Sequence, residues 1–318
     1  VSVYDAGVDW IGGLLEAPRA QGAFLLRSTF EPPWSLRIQD EAPLSVMAVV
    51  QGSAWVVPDD RPPVQIEQGG VALFRGPDHY TVADAPSTAP QVVILPGQEC
   101  FSPEGKPMDF FGVRDWGNAA DGSTVLVTGT YPMPREVGRR VLSALPPIAV
   151  IPLDACRTVV QYLADEIVRD EPGQEAVLDR VLDLVLIAAL RAWFARPEAQ
   201  APGWYRAQAD PVVGAALRLI HDAPEQPWTV ASLAAAGGVS RAAFARRFGE
   251  LVGESPMTFL TDWRLTVAAD LLREPESTLG SVARQVGYGS PYALSAAFKR
   301  VRGLSPRDYL ARSEVVPV

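Results

Sequence analysis

From Phe24 to about Val127 the apolar residues gather into short runs, FLLRSTF, SVMAVV, SAWVV, VALF and QVVIL, broken by PP, QG, DDRPP, QGG and GPD. Runs rich in aliphatic and β-branched residues between such breaks predict short strands joined by turns, and a series of them predicts an antiparallel barrel or sandwich. The period then changes. LDACRTVVQYLADEIVRDEPGQEAVLDRVLDLVLIAALRAWFA reads as two helices broken at Pro172-Gly173. In the second, Val177, Val181, Leu184 and Ala188 form one stripe, and Leu178, Leu182, Val185 and Ala189 widen it. A stripe this broad predicts burial on two sides, against the β unit and against a partner subunit. PEAQAPGWYRAQADP, residues 197–211, has the composition of an interdomain linker.

The rest of the chain repeats itself. Ser240, Phe244, Phe248, Gly253, Ser255 and Pro256 recur fifty positions later as Ser290, Leu294, Phe298, Gly303, Ser305 and Pro306. VASLAAAGGVS aligns with LGSVARQVGYGS if the second copy has one extra residue in its turn, so each copy reads as helix, glycine-containing turn, helix. Thr229, Ser240, Thr278 and Ser290 stand where side-chain oxygens would cap these four helices. Ser255-Pro256 and Ser305-Pro306 place a capping serine before a proline at the first helical position. On a helical wheel Phe244, Phe248 and Leu251 form the core stripe of the first unit, and Ala242, Ala245, Arg246 and Gly249 occupy the other side. In the second, Leu294, Phe298 and Val301 form the stripe, while Tyr292, Ser295, Ala296 and Lys299 face out. PMTFLTDWRLTVAADLLRE, with Phe259, Trp263, Val267 and Leu271 at spacings of four, is expected to be a stiff helix joining the units. Two such units could meet successive major grooves of B-DNA.

Charge qualifies this picture without removing it. The net charge is -9, yet residues 210–318 carry 12 Lys/Arg against 11 Asp/Glu, so the acidity belongs to the preceding part, with 16 against 26. A near-neutral segment binds DNA if its cations share a face. At 318 residues the chain can hold two cores. VSVYDAGVDWIGGLLEAP lacks the basic and apolar regions of a signal peptide, and Asp179, Arg180, Asp183 and Arg191 interrupt the longest apolar helix. A cytoplasmic protein without membrane contact is expected. Cys100 and Cys156 are far apart and suggest neither a disulfide framework nor a zinc cluster.

SLAAAGGVSRAAFARRFGELVGESP, WRLTVAADLL and SVARQVGYGSPYALSAAFKRVRGLSPRDYL make residues 210–312 resemble the DNA-binding domain of the AraC/XylS family of bacterial transcription regulators. The resemblance implies that the second helix of each unit enters a major groove. Carried over, it offers Ala242, Ala245 and Arg246 for base reading in the first unit, and Pro291, Tyr292, Ala293, Ser295 and Ala296 in the second. Arg246 can contact guanine O6 and N7 together, and alanines can pack on thymine methyls. Arginine is common in the family at the place of Ala296, a departure that weakens base readout by the second half. Thr229, Ser240, Arg241, Arg247, Ser290, Lys299 and Arg300 are the candidate phosphate contacts.

PWSLRI, VVQGSAWVV and GGVALFRGPDHYTVAD resemble the cupin-like sensor domain that precedes some of these regulators, and VLVTGTYPMPREVGRRVLSALPPIAVI extends the match. Trp34, Trp55, Phe74, His79 and Tyr80 are the candidate lining of an effector pocket, although aromatics also fill the interiors of small barrels. Cupin enzymes hold a metal with two or more histidines and a carboxylate. Here His79 is the only histidine of the β region and His221 lies in the carboxy-terminal part, so no metal, cofactor or catalytic residue is expected. The expected architecture is multidomain: a cupin-like all-β barrel over 1–150, a helical dimerisation segment over 151–200, and an all-α domain with two helix-turn-helix units over 201–318. The expected function is that of a sequence-specific regulator of transcription, not an enzyme. Double-stranded DNA, a small-molecule effector, a second copy of the chain and, if it activates, RNA polymerase are the implied partners. A redox regulator switched by Cys100 or Cys156 is the alternative. A cupin enzyme fused to a DNA-binding module is disfavoured by the missing histidines.

Overall fold

The structure, a computed structural model, describes residues 24–102, 114–131, 136, 138, 142–151, 155–169, 171–199 and 201–314. The amino-terminal stretch read above for a signal peptide lies outside them, as do parts of the 125–151 run. The chain forms two compact units. One is drawn from 15–134 and 141–199, and the other from 200–317 together with Glu136 and Gly138.

Among the described residues the first unit has two six-stranded sheets. In one, β10 (Asp115–Gly117), β1 (Phe24–Phe30), β11 (Thr124–Tyr131), β3 (Leu44–Gln51), β6 (Val71–Arg75) and β12 (Ile148–Ile151) lie side by side. In the other the order is β5 (Val64–Glu67), β4 (Ser53–Pro58), β7 (Tyr80–Ala83), β2 (Ser35–Ile38), β8 (Val92–Leu95) and β9 (Glu99–Phe101). The β-rich unit is as expected in class, but the ladders do not close into a barrel. Each sheet ends in edge strands, and Leu26, Phe30, Met47 and Leu126 of one meet Leu36, Val56 and Val82 of the other in a common core. Strand alternation selects these residues: in β4, Ala54 and Val56 are buried while Ser53, Trp55 and Val57 are half-buried. The pairs β1–β10 and β2–β8 are parallel, and in both the strands are far too distant in sequence to be joined by a hairpin. Gly52, at φ 75°, turns the chain from β3 in one sheet to β4 in the other, and a Cβ there would lie 2.6 Å from the Ser123 carbonyl oxygen.

Helices α1 (Arg157–Ile167) and α2 (Gln174–Phe194) pack on each other, with the break where Pro172-Gly173 predicted it and Gly173 at φ 86°. The Gln174 amide spans the break and donates to the Glu166 carbonyl at 2.9 Å. Leu182 of α2 lies on Gly129 of β11, where a Cβ would approach its Cδ1 to 2.6 Å, and the Tyr131 hydroxyl donates to the Leu182 carbonyl at 3.3 Å. The two-sided burial expected of α2 is largely met inside one chain: Leu178, Val181, Leu182, Val185 and Ala189 are all buried, whereas Leu184 is 53% exposed.

The second unit contains α3 (Gly203–Arg206), α4 (Pro211–Asp222), α5 (Val230–Ala236), α6 (Arg241–Val252), α7 (Pro256–Leu271), α8 (Leu279–Gln285), α9 (Pro291–Arg302) and α10 (Pro306–Glu314). The stretch 197–211, expected as a linker, is helical from Gly203 because Trp204 and Ala207 find burial there. Gly203 itself passes close to the end of α6, where a Cβ would meet the Val252 carbonyl oxygen at 2.6 Å. Helix α7 serves two cores. Phe259 meets Phe248 and His221 in the first helix-turn-helix unit, and Leu265, Ala268 and Ala269 meet Val282, Leu294 and Phe298 in the second. The core stripe of α9 differs from the wheel: Val301 is 43% exposed, and Ala297 completes the buried face instead. Towards the helix end the stripe turns out of contact, and the buried face is the one that meets α7 and Tyr309 of α10.

Candidate nucleic-acid interface

Each helix of the two repeated units is started by the capping residue its sequence offers. Ser232 N–H donates to Thr229 Oγ1 at 3.0 Å and Ser281 N–H to Thr278 Oγ1 at 3.1 Å, and in both cases the N3 serine answers the cap residue's own N–H. These are reciprocal capping boxes with serine in the place usually taken by Glu or Gln. Ser240 and Ser290 accept from Ala243 and Ala293 at 3.3 and 3.1 Å. The turns between α5 and α6 and between α8 and α9 use Gly238 at φ 66° and Gly287 at φ 78°. The frame therefore holds α6 and α9 by their amino-terminal ends, leaving their outer faces without a structural task.

On α6, Ala242 is exposed, Ala245 half-buried, and the Arg246 side chain 77% exposed, its Nε 3.9 Å from Glu250 Oε1. On α9, Pro291 and Ala296 are exposed, Ala293 and Ser295 half-buried, and Tyr292 is 84% exposed. The base-reading candidates of each half thus share one accessible face. Arg241, Lys299 and Arg300 are exposed and make no ion pair among the described residues. Ser240 and Ser290 spend one oxygen lone pair on capping and keep a hydroxyl proton to donate, whereas the Thr229 hydroxyl donates to Ser232 Oγ at 3.1 Å.

Arg247 is placed differently from the other phosphate candidates. Its Nε donates to Asp210 Oδ2 at 2.7 Å, and Asp210 caps α4 by accepting from Val212 and Val213. Burial acts to raise the Asp210 carboxyl, but the Val213 N–H, the Arg247 guanidinium and the Val212 N–H outweigh it and hold the group below its ordinary range. Other internal ties went unnoticed in the sequence. Arg264 donates to the carbonyls of Pro224 and Gln226, both at 2.7 Å, and Arg302 pairs with Asp262 at 3.0 Å. Buried Asp270 accepts from the Glu136 N–H and from Arg273, which also reaches Glu136 at 3.1 Å. These arginines look like surface cations in sequence, and only the folded chain shows which carbonyl or carboxylate each one meets.

Two hollows of the first unit bear on the effector candidates. A rim hollow of about 20 Å³ is bordered by Asp40, Asp60, Arg61, Arg75, Asp78 and His79, and His79 Nε2 is 4.0 Å from Glu41 Oε1. A cavity of about 50 Å³ lies between the sheets. Phe74 and Tyr80, stacked at 4.1 Å, line both hollows, and burial pushes the Tyr80 phenol well above its usual range. Of the five pocket candidates, Phe74, His79 and Tyr80 thus come together. Trp34 is 1% exposed, stacks on Phe30 at 4.6 Å and lines neither hollow, and Trp55 lies on the face of β4 opposite the buried Ala54 and Val56. Trp116 and Met47, which line the inner cavity, were missed because a tryptophan after a charged loop and a methionine in an apolar run carry no distinctive pattern.

Residues 9–195 match the Cupin family and residues 233–312 the Helix-turn-helix domain family. An AraC-like transcription regulator of Streptomyces lividans is 32% identical over 87% of this chain and 89% of its own length. The HTH-type transcriptional regulator AlkR of Acinetobacter baylyi is 28% identical over 76% of this chain and 87% of its own. The chain belongs to the AraC-like family of transcription regulators. Among solved structures, the DNA-binding domain of AdpA in complex with a target DNA is 35% identical, covering 32% of this chain and 92% of that one, with a TM-score of 0.30.

This AraC-like protein is therefore a sequence-specific DNA-binding regulator of transcription with a cupin-like first unit. Its relatives give no support to the redox alternative, and neither do its thiols. Burial raises the half-buried Cys100 thiol, and pushes the buried Cys156 thiol up to about 11, whereas a redox sensor needs a stabilised thiolate. Among the described residues no group of His, Cys, Asp and Glu could hold a metal ion, and no helix is long and apolar enough to cross a membrane.

Proposed function

We propose that this regulator answers to a small-molecule effector held between its two sheets, works as a homodimer, and distinguishes its sites chiefly through Arg246. Residues 1–150 then act as sensor, 151–200 as the helical dimerisation segment and 201–318 as the DNA-binding domain. If the outcome is activation, RNA polymerase is the further partner. The observation that carries the DNA reading is the pairing of an exposed, long-armed Arg246 with small neighbours, Ala242 and Ala245, on the outer face of α6. Such a face can press into a major groove while the guanidinium reaches guanine O6 and N7.

Binding to every single-base variant of the site tests this reading. Arg246→Ala is expected to flatten preference at one or two base pairs, a loss of about 1–3 kcal/mol of discrimination, while Lys299→Ala weakens all sequences alike and lowers the salt slope by about one. A uniform loss with Arg246→Ala makes Arg246 a phosphate contact instead. For the dimer, the apolar residues left outward on α1 and α2 and just after α1 are Tyr162, Leu184 and Val168. The wild type is expected to sediment as a dimer and Leu184→Glu as a folded monomer. A monomeric wild type at tens of micromolar removes the dimer.

A further inference from the structure

The cavity between the sheets has a chemistry that restricts what it can hold. Leu26, Leu36, Met47, Val82 and Leu126 make up much of its wall, Ser28, Gln98 and Thr128 add uncharged polar groups, and no charged side chain lines it. An ion moved there would lose its hydration with no counter-charge in reach, at a cost of several kcal/mol. Charged groups gather instead in the rim hollow, where Asp40, Asp60, Asp78, Arg61 and Arg75 stand. The inner space therefore selects a neutral occupant.

One residue of its wall carries an unanswered polar atom. Trp116 lines the cavity and is 3% exposed, and its indole Nε1 is shielded from solvent without a hydrogen-bond partner. An indole N–H can only donate, and a buried donor left unpaired costs about 1–3 kcal/mol. Trp34 also has an unpartnered Nε1, but it lies off the cavity, so an occupant can satisfy Trp116 alone. A water needs about 10–15 Å³ by the same measure, so about 50 Å³ admits a molecule of about three to five heavy atoms.

We infer that the occupant is a small uncharged molecule, apolar over most of its surface, with a single hydrogen-bond acceptor such as a ketone or aldehyde oxygen that takes the Trp116 indole N–H. This names the ligand class for the effector reading above and rests on it.

The experiment uses the full chain labelled with ¹⁵N at tryptophan and titrated with 2-butanone, n-pentane and butanoate. With 2-butanone one indole resonance is expected to move downfield and saturate, and that resonance is the one missing from Trp116→Phe. Pentane should bind without the downfield shift, and butanoate should leave the resonance where it is. Trp116→Phe should weaken 2-butanone about two- to tenfold and pentane less than twofold. A shift that persists in Trp116→Phe, butanoate binding as tight as 2-butanone, or no saturable binding of any probe overturns the inference. A thermal melt checks that Trp116→Phe is folded. Val82→Leu, which adds one methylene to the cavity wall, separates the two levels in a promoter reporter. If filling changes regulation but butanoate is the better probe, only the ligand class falls, and if filling leaves regulation unchanged the effector reading falls with it.

Discussion

In the first helix-turn-helix unit Thr229 and Ser240 cap helices of 7 and 12 residues, and in the second Thr278 and Ser290 cap helices of the same two lengths. Both end on a left-handed glycine, Gly253 at φ 93° and Gly303 at φ 77°. What the units present outward is not alike. The first offers Arg246 between small residues, and the second offers Tyr292, Ser295 and Ala296. Their cores also part company: the first gathers Phe244, Phe248 and Phe259 beside His221, whereas the second surrounds Phe298 with Leu265, Val282 and Leu294. Caps and exit glycines answer a geometric need that any such helix pair has. An outer face answers only to what it touches, so the copies diverge there without cost to the fold.

The deepest shared feature is Phe248 with its counterpart Phe298, each 0% exposed. Replacing either with alanine is expected to cost about 3–5 kcal/mol, read as a lowered melting temperature of the second unit. A loss below about 1 kcal/mol in one half only would show that the two cores are unequally packed. Next in size is the readout difference. Ala296→Arg should give the second half-site a new preference of about 1–3 kcal/mol at one base pair, measured over all single-base variants. An unchanged profile would mean that α9 stands too far from the base edges for an arginine to matter. The two capping boxes sharpen the comparison from the other side: Thr229→Ala and Thr278→Ala should each cost about 1 kcal/mol, and unequal losses in thermal melts would break the equivalence of the frames.

The smallest expected effect concerns the pair Arg247–Asp210, which the second unit lacks because buried Ala297 stands at the matching place. The folded Asp210 carboxyl is held below its ordinary value. Its contribution is therefore present above about pH 3.9, the unfolded value, and is lost as pH falls through the lowered folded value. Melting of the wild type and of Asp210→Asn across that window should converge toward acid. Curves that stay parallel would show that the ion pair contributes nothing that titrates.

Much of the second unit was legible in the chain. The fifty-residue repeat, the capping threonines and serines and the Ser-Pro starts each describe a local need, and all appear as helix starts in the structure. The outward faces of α6 and α9 were legible for the same reason, since an exposed position is set by helix period. Less of the first unit could be read. Strand runs such as FLLRSTF, SAWVV and VALF fall on β1, β4 and β6, but nothing in them says which strand lies beside which. The breadth of α2 suggested a partner, and Gly129, with the sheet around it, supplied much of that burial from within the chain.

Helix existence, helix starts, the duplicated frame and the exposure of Arg246 were settled by sequence alone, because each depends on residues within a turn or two of one another. The separation into two open sheets, the pairing of Arg247 with Asp210 across 37 positions, and the meeting of Trp116 with Met47 and Tyr80 around one apolar cavity were decided by the tertiary fold. These contacts join residues far apart along the chain. Their partners are chosen by packing and by the need to satisfy buried polar groups, and no local pattern encodes that choice.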